Sequence, residues 1–146
     1  MEIKEIQNEI IEEFSAFDEW LDKYEYLIDL GKTLPQIDEK KKTEDNLIKG
    51  CQSRVWLDCR MEDGLLYFTA DSDAIITKGI ISLLIRVFNG QKPDDILHSD
   101  LSFLETIGLK ENLSPTRANG LVSMIKQIMN YSLAYKEKGC QNGREC

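Results

Sequence analysis

The sequence predicts an α+β fold in which a small antiparallel sheet packs against helices. Apolar residues recur at helical spacing from Ile3 to Ile28, but from Ser53 to Ala70 the period changes to two. A turn sequence, "E-D-G" at Glu62 to Gly64, joins the two alternating runs into a hairpin. The order helix, helix, strands, helices then implies helices packed on an antiparallel sheet. At 146 residues the chain suits one domain with a substantial core. The expected division is a single domain over residues 1–138 and a flexible C-terminal tail over 139–146.

Ile3, Ile6, Ile10, Phe14 and Phe17 give an amphipathic first helix to about residue 15. Asp18 can N-cap a second helix with Trp20, Tyr24, Leu27 and Ile28 on one face, and Gly31 is its expected stop. The polar stretch that follows, Lys32 to Asp45, reads as an exposed loop. Val55, Leu57, Cys59 and Met61 point one way from the first strand; Leu66, Phe68 and Ala70 share a face of the second. "N-L-I" before Gly50 offers a short third strand, with Cys51 at the connecting tip. Asp71, Ser72 and Asp73 are N-cap candidates for the next helix, and Asn89-Gly90 is its stop. That helix is apolar almost all round, so it belongs at the buried centre. Residues 91 to 112 read as short helical turns. Ser114-Pro115 opens a long last helix, a capping serine followed by proline at the first position, with Leu121, Ile125, Ile128 and Met129 on its buried stripe.

A formal net charge of -8 argues against a surface for nucleic acid or an anionic membrane. No apolar run reaches membrane-spanning length, and "M-E-I-K-E-I" lacks a signal-peptide pattern, so the expected compartment is the cytoplasm. There most thiols stay reduced, and Cys51, Cys59, Cys140 and Cys146 are free thiols, metal ligands or redox centres rather than a disulfide frame. Cys59 lies on the apolar strand face and reads as a small core residue. Cys140 and Cys146 have a spacing that matches no strong zinc pattern. His98, the one histidine, reads as a capping or surface residue.

Cys51 differs from the other three. Gly50 permits the positive backbone angles of a tight turn, which lifts the thiol out of the sheet. Lys49 and Arg54 add positive potential that favours a thiolate. The alternative is an incidental loop cysteine. No histidine is near in sequence to act as a base, which speaks against a Cys-His hydrolase. Arg117 is a second anomaly, because the first turn of a helix disfavours a cation. Gly120 follows in the helix interior, at a cost of roughly 1 kcal/mol relative to alanine. Either Arg117 is a solvent-facing residue at a frayed end, or the pair marks a close backbone approach and a guanidinium held for an anion. Asp73 or Asp71 would be the structural choice of partner.

Taken together, "G-C-Q-S-R-V-W" (Gly50 to Trp56), "D-S-D-A" (Asp71 to Ala74), "K-G" (Lys78-Gly79) and "L-S-P-T-R-A-N-G-L" (Leu113 to Leu121) resemble the SufE family of sulfur-acceptor proteins. "Y-L-I-D-L-G-K-T-L-P" at Tyr26 to Pro35 is similar to the family's second helix and its exit. The resemblance runs from about residue 10 to residue 135, and no role extends to Cys140 or Cys146. It implies the fold shared with IscU-type cluster scaffolds. It also implies that Cys51 accepts persulfide sulfur from a pyridoxal-phosphate cysteine desulfurase (SufS-like), stimulates that enzyme, and passes the sulfur to a SufB-like cluster-assembly scaffold. The chain would then be a sulfur-transfer partner rather than a stand-alone enzyme. The same resemblance implies that the thiol rests in an apolar depression, and that Arg117 and Asp73 help to shape or dock its loop. Nothing in the sequence suggests a cofactor or metal held by this chain. Two other readings are a cysteine-ligated metal or cluster scaffold, and a non-covalent allosteric activator of a desulfurase.

Overall fold

The computed structural model describes residues 2–141, with side chains described through Lys138. Helix α1 (Ile3–Ser15) buries Ile6, Ile10 and Phe14, as the spacing predicts. Helix α2 (Trp20–Gly31) is capped by Glu19 rather than Asp18, because the Glu19 carbonyl already accepts the Lys23 amide at 3.2 Å. Strands β1 (Val55–Glu62) and β2 (Leu65–Ser72) pair antiparallel, with Leu57 opposite Ala70 and Cys59 opposite Phe68. Asp63 and Gly64 turn between them with φ of 52° and 80°, the two positive angles that suit a tight hairpin to the strand twist. The sheet has only these two strands among the described residues. The expected third is a single bridge, Leu47 to Trp56, because the chain turns away at Gly50.

A two-stranded ribbon leaves both edges open, and each is closed here. On the outer side of β2, Ala70 exchanges hydrogen bonds with Pro35 and Ile37, Leu66 does so with Gln91 and Gly90, and the Asn89 side chain accepts the Phe68 amide at 2.7 Å. On the outer side of β1, the Tyr131 and Tyr135 hydroxyls donate to the Leu57 and Cys59 carbonyls, both at 2.9 Å. Both tyrosines come from the long helix α6 (Pro115–Gln141), so that helix is tied along the sheet edge.

Helix α3 (Ile75–Phe88) is the centre of the core: ten of its residues are buried, from Thr77 to Phe88. Its cap is Ala74, not the three polar residues before it, because each of those is engaged elsewhere. Asp71 stays on β2, the Ser72 hydroxyl accepts the Ala74 amide at 3.2 Å, and Asp73 accepts the Arg54 amide at 3.0 Å. Gly31 does not end α2 through a left-handed angle. It lies buried where α2 crosses α3, and a Cβ there would sit 3.1 Å from the Gly79 amide nitrogen. A Cβ at Gly79 would lie 2.3 Å from the Leu27 carbonyl oxygen. The two glycines bring the helix backbones together, and the Ser82 hydroxyl donates to the Leu30 carbonyl at 2.7 Å beside them. Arg86, at the far end of α3, grips Glu13 of α1 through two bonds of 2.7 and 2.6 Å.

Short helices α4 (Pro93–Leu97) and α5 (Phe103–Thr106) and a 3-10 turn at Lys110–Asn112 fill the stretch expected to hold helical turns. His98 closes α4, its Nδ1 lying 2.8 Å from the Asp94 carbonyl on the surface. Ser114 accepts the Arg117 amide at 3.3 Å and Pro115 opens α6, as anticipated. Leu121, Met124 and Ile128 form its buried stripe, while Ile125 and Met129 are half-buried. The backbone is described to Gln141; Cys146 and the rest of 142–146, and the side chain of Cys140, lie outside the described residues.

Asp71 has a charged role on the sheet. Its side chain is only 13% exposed and meets Lys42 Nζ at 2.6 Å and Lys78 Nζ at 3.3 Å. Burial raises its pKa, but bonds from Lys42, the Ser72 backbone, Gln36 and Lys78 outweigh that and lower it from 3.8 to about 2. A depressed carboxyl stabilises the fold fully above 3.8 and loses that contribution as pH falls through about 2. Asp71→Asn is therefore expected to cost on the order of 1–2 kcal/mol at neutral pH, after allowing for the solvent-facing sides of the lysines. Urea unfolding at neutral pH and at about pH 2 checks it: the gap between variant and wild type should close in acid. A gap that persists there would mean the carboxylate charge is not its source.

Candidate functional site

The tip that carries Cys51 is held at both ends. On entry, the Ile48 amide donates to the Val55 carbonyl at 2.8 Å, closing a loop around residues 49–54. On exit, Asp73 accepts the Arg54 amide at 3.0 Å and returns its own amide to the Arg54 carbonyl at 3.3 Å. Gly50 makes the turn with φ of 93°, and a Cβ there would fall 2.5 Å from the Ser123 hydroxyl. Both the angle and the space select glycine. Cys51 then leans inward, and its thiol lies 3.6 Å from the Gly120 carbonyl of α6. The approach at Gly120 is made by the Cys51 side chain rather than by the other backbone that the sequence predicts. It is not a tight one, since a Cβ on Gly120 would meet Sγ at an ordinary 3.5 Å.

The thiol borders a cleft of about 320 Å³ between the tip, the start of α3 and the start of α6. Ile80 and Met124 form apolar wall; Thr77, Ser114, Thr116 and Arg117 supply polar groups. Sequence reasoning placed Cys51 and Arg117 at the site and missed Thr77, Ile80 and Met124. Ile80 and Met124 carry an apolar helical period, a signal that marks core and says nothing of a cleft. Asp73 is not in the lining; it anchors the tip three residues beyond the thiol. Neither acid pairs with Arg117, because Asp71 is taken by two lysines and Asp73 by the Arg54 amide. Among the described residues Arg117 has no ion pair, and its side chain is exposed.

The charge of the tip differs from expectation. Lys49 and Arg54 are exposed, and they do not offset desolvation: burial pushes the Cys51 thiol up, away from the thiolate. At rest Cys51 is a protonated, sheltered thiol. Cys59 is buried in the core, where burial first and then the Asp58 charge push it up to about 12. Native-state alkylation read by mass spectrometry should therefore modify Cys51 well before Cys59, and its rate at Cys51 should keep climbing as pH rises past the ordinary thiol range. Cys59 reacting first would mean that β1 is not packed in this register.

The family profile for SufE, described as an Fe-S metabolism associated domain, matches residues 8–132. The chain belongs to the SufE family. An uncharacterised SufE-like protein of Rhizobium meliloti is 43% identical over 126 residues, spanning 83% of this chain and 90% of its own. The SufE-like protein 1 of Arabidopsis thaliana, described as chloroplastic/mitochondrial, is 36% identical over 132 residues, which are 90% of this chain and 36% of its own. A hypothetical protein of Thermus thermophilus shares the fold, with a TM-score of 0.74 at 19% identity over 88% of this chain and 94% of its own. SufE membership places the chain in Fe–S metabolism. No helix among the described residues is long and apolar enough to cross a membrane. Nor do three His, Cys, Asp or Glu side chains converge among the described residues as metal ligands would.

Proposed function

We propose that this chain is a sulfur acceptor of the cytoplasm, built as one domain over residues 1–138. Cys51 takes the outer sulfur of a persulfide on a SufS-like cysteine desulfurase, and the chain stimulates that enzyme and hands the sulfur to a SufB-like cluster-assembly scaffold. The Cys51 thiolate attacks the outer sulfur, the sulfur–sulfur bond of the partner breaks, and the partner's cysteine leaves as thiolate. No net oxidant or reductant is consumed. The pyridoxal phosphate belongs to the partner.

The observation that carries this reading is the placement of Cys51: a half-buried thiol on a glycine turn, beside a cleft that contains an unpaired arginine. A resting thiol kept protonated by burial gains its nucleophilic form only on leaving the depression, so reactivity is coupled to docking. Gly50 gives the tip its freedom to swing outward, Asp73 ties its far end to the link between β2 and α3, and Arg117 receives an anionic group of the docked partner. The test is to incubate the reduced protein with cysteine and a SufS-type desulfurase and to weigh it intact. One added sulfur on Cys51, removed by a reducing thiol, is expected. A protein that speeds the desulfurase but never gains that mass is a non-covalent activator instead.

A further inference from the structure

The cleft beside Cys51 is far larger than the sulfur it would shelter. One added sulfur atom needs about the room of a water molecule, roughly 30 Å³, against a cleft of about 320 Å³. That is the lower end of the range for small-molecule sites. Its chemistry is one-sided as well. No acidic residue lines it, although the chain as a whole carries a net charge of -8. Arg117 is there without a counter-ion among the described residues. Thr77 lines the same cleft with only 6% of its surface exposed. Its hydroxyl has no hydrogen-bond partner among the described residues, not even the carbonyl one turn back that a helical threonine usually takes. With no intramolecular bond to give up, that hydroxyl is available to a polar group bound in the cleft. Ile80 and Met124 offer contact to a short aliphatic chain.

We propose that this cleft binds a low-molecular-weight thiol carrying a carboxylate, as a second exit for the sulfur held on Cys51. The carboxylate meets Arg117 and the Thr77 hydroxyl, and the aliphatic part lies on Ile80 and Met124. The thiol sulfur then faces the Cys51 side of the cleft. Its thiolate attacks the outer sulfur of the Cys51 persulfide, the bond from Sγ to that sulfur breaks, and Cys51 departs as thiolate. The hydrogen stays on the transferred sulfur, and a small-molecule persulfide is released. The transfer step rests on the sulfur-acceptor reading above; the binding step does not.

Two measurements separate the parts. In the first, the reduced, unloaded protein is titrated with 3-mercaptopropionate and followed by the amide resonances of Thr77 and Gly120, with 2-mercaptoethanol as the uncharged control. Saturable shifts are expected for the carboxylate thiol alone. Thr77→Val should raise the half-saturating concentration roughly tenfold, the loss of one bond to a charged group, while Thr77→Ser restores it and all three proteins melt alike. In the second, protein loaded by desulfurase and then separated from it is mixed with each thiol. Sulfur release should saturate with 3-mercaptopropionate and rise linearly with 2-mercaptoethanol. Linear dependence on both thiols, or an unchanged half-saturation in Thr77→Val, overturns the proposal. So does saturation only by a peptide bearing the desulfurase cysteine, which would make the occupant a macromolecule. Loading that fails while binding persists sinks the acceptor reading and leaves the pocket.

Discussion

Gly79→Ala is expected to destabilise the protein by about 3 kcal/mol, a melting loss of roughly 10 °C at this size. Alanine is the better helix former by about 1 kcal/mol, so the sign depends entirely on tertiary contact. The added methyl would lie 2.3 Å from the Leu27 carbonyl oxygen and 2.8 Å from its carbonyl carbon. Both are backbone atoms, and no rotamer change clears them. Helix α2 must move off α3, which also pulls Leu30 from the Ser82 hydroxyl and loosens the close contact at Gly31. Gly64→Ala is the control. Its φ of 80° disfavours any side chain, but a Cβ there meets nothing within 4 Å. It should lose only the left-handed penalty, about 1–2 kcal/mol. Thermal unfolding of the two variants decides the matter. If Gly79→Ala melts with wild type, the two helix backbones are not held at this distance.

How much of this was legible can be judged residue by residue. The strand pair was legible because period two is a local property, and Val55, Leu57 and Cys59 turn out buried together. The central helix was legible because an all-round apolar segment has nowhere else to go. Its cap was not. Asp71 and Asp73 are good capping residues by propensity, yet their carboxylates are claimed by Lys42, Lys78 and the Arg54 amide, partners set by the fold. Gly31 does end α2, as its place in the pattern predicts, but its second use was hidden. A glycine ending a helical pattern signals a left-handed cap, and the competing use, close packing against another glycine, leaves no local trace. At the site, Cys51 stood out because nothing in the apolar pattern explained it. Its electrostatics were misjudged because sequence neighbours suggested Lys49 and Arg54 as its environment, whereas the real neighbour is Gly120 on α6. Thr77 was invisible, since a threonine in an apolar helix looks like filler.

Cys51→Ser is expected to fold as wild type and to accept no sulfur at all. The side chain is half-buried, and the replaced contact is a weak thiol bond of 3.6 Å to the Gly120 carbonyl. A serine hydroxyl there forms a bond at least as good, so the melting change should stay within about 1 kcal/mol. The chemical loss is complete, because an alcohol oxygen cannot make the sulfur–sulfur bond on which transfer depends. Cys59 cannot substitute: it is buried in the core with its pKa raised to about 12. Cys140→Ser with Cys146→Ser should leave acceptance intact, since the family match ends at residue 132. Mass spectrometry after incubation with desulfurase and cysteine measures both variants, with sulfide release followed alongside. The two proposed functions then come apart: on that reading docking needs the surface around the tip, which Cys51→Ser retains, whereas turnover needs a thiol to take sulfur away. The variant should therefore still bind the desulfurase but no longer sustain its acceleration over repeated cycles. Sustained acceleration by Cys51→Ser would show that the thiol is dispensable and that contact alone activates the enzyme.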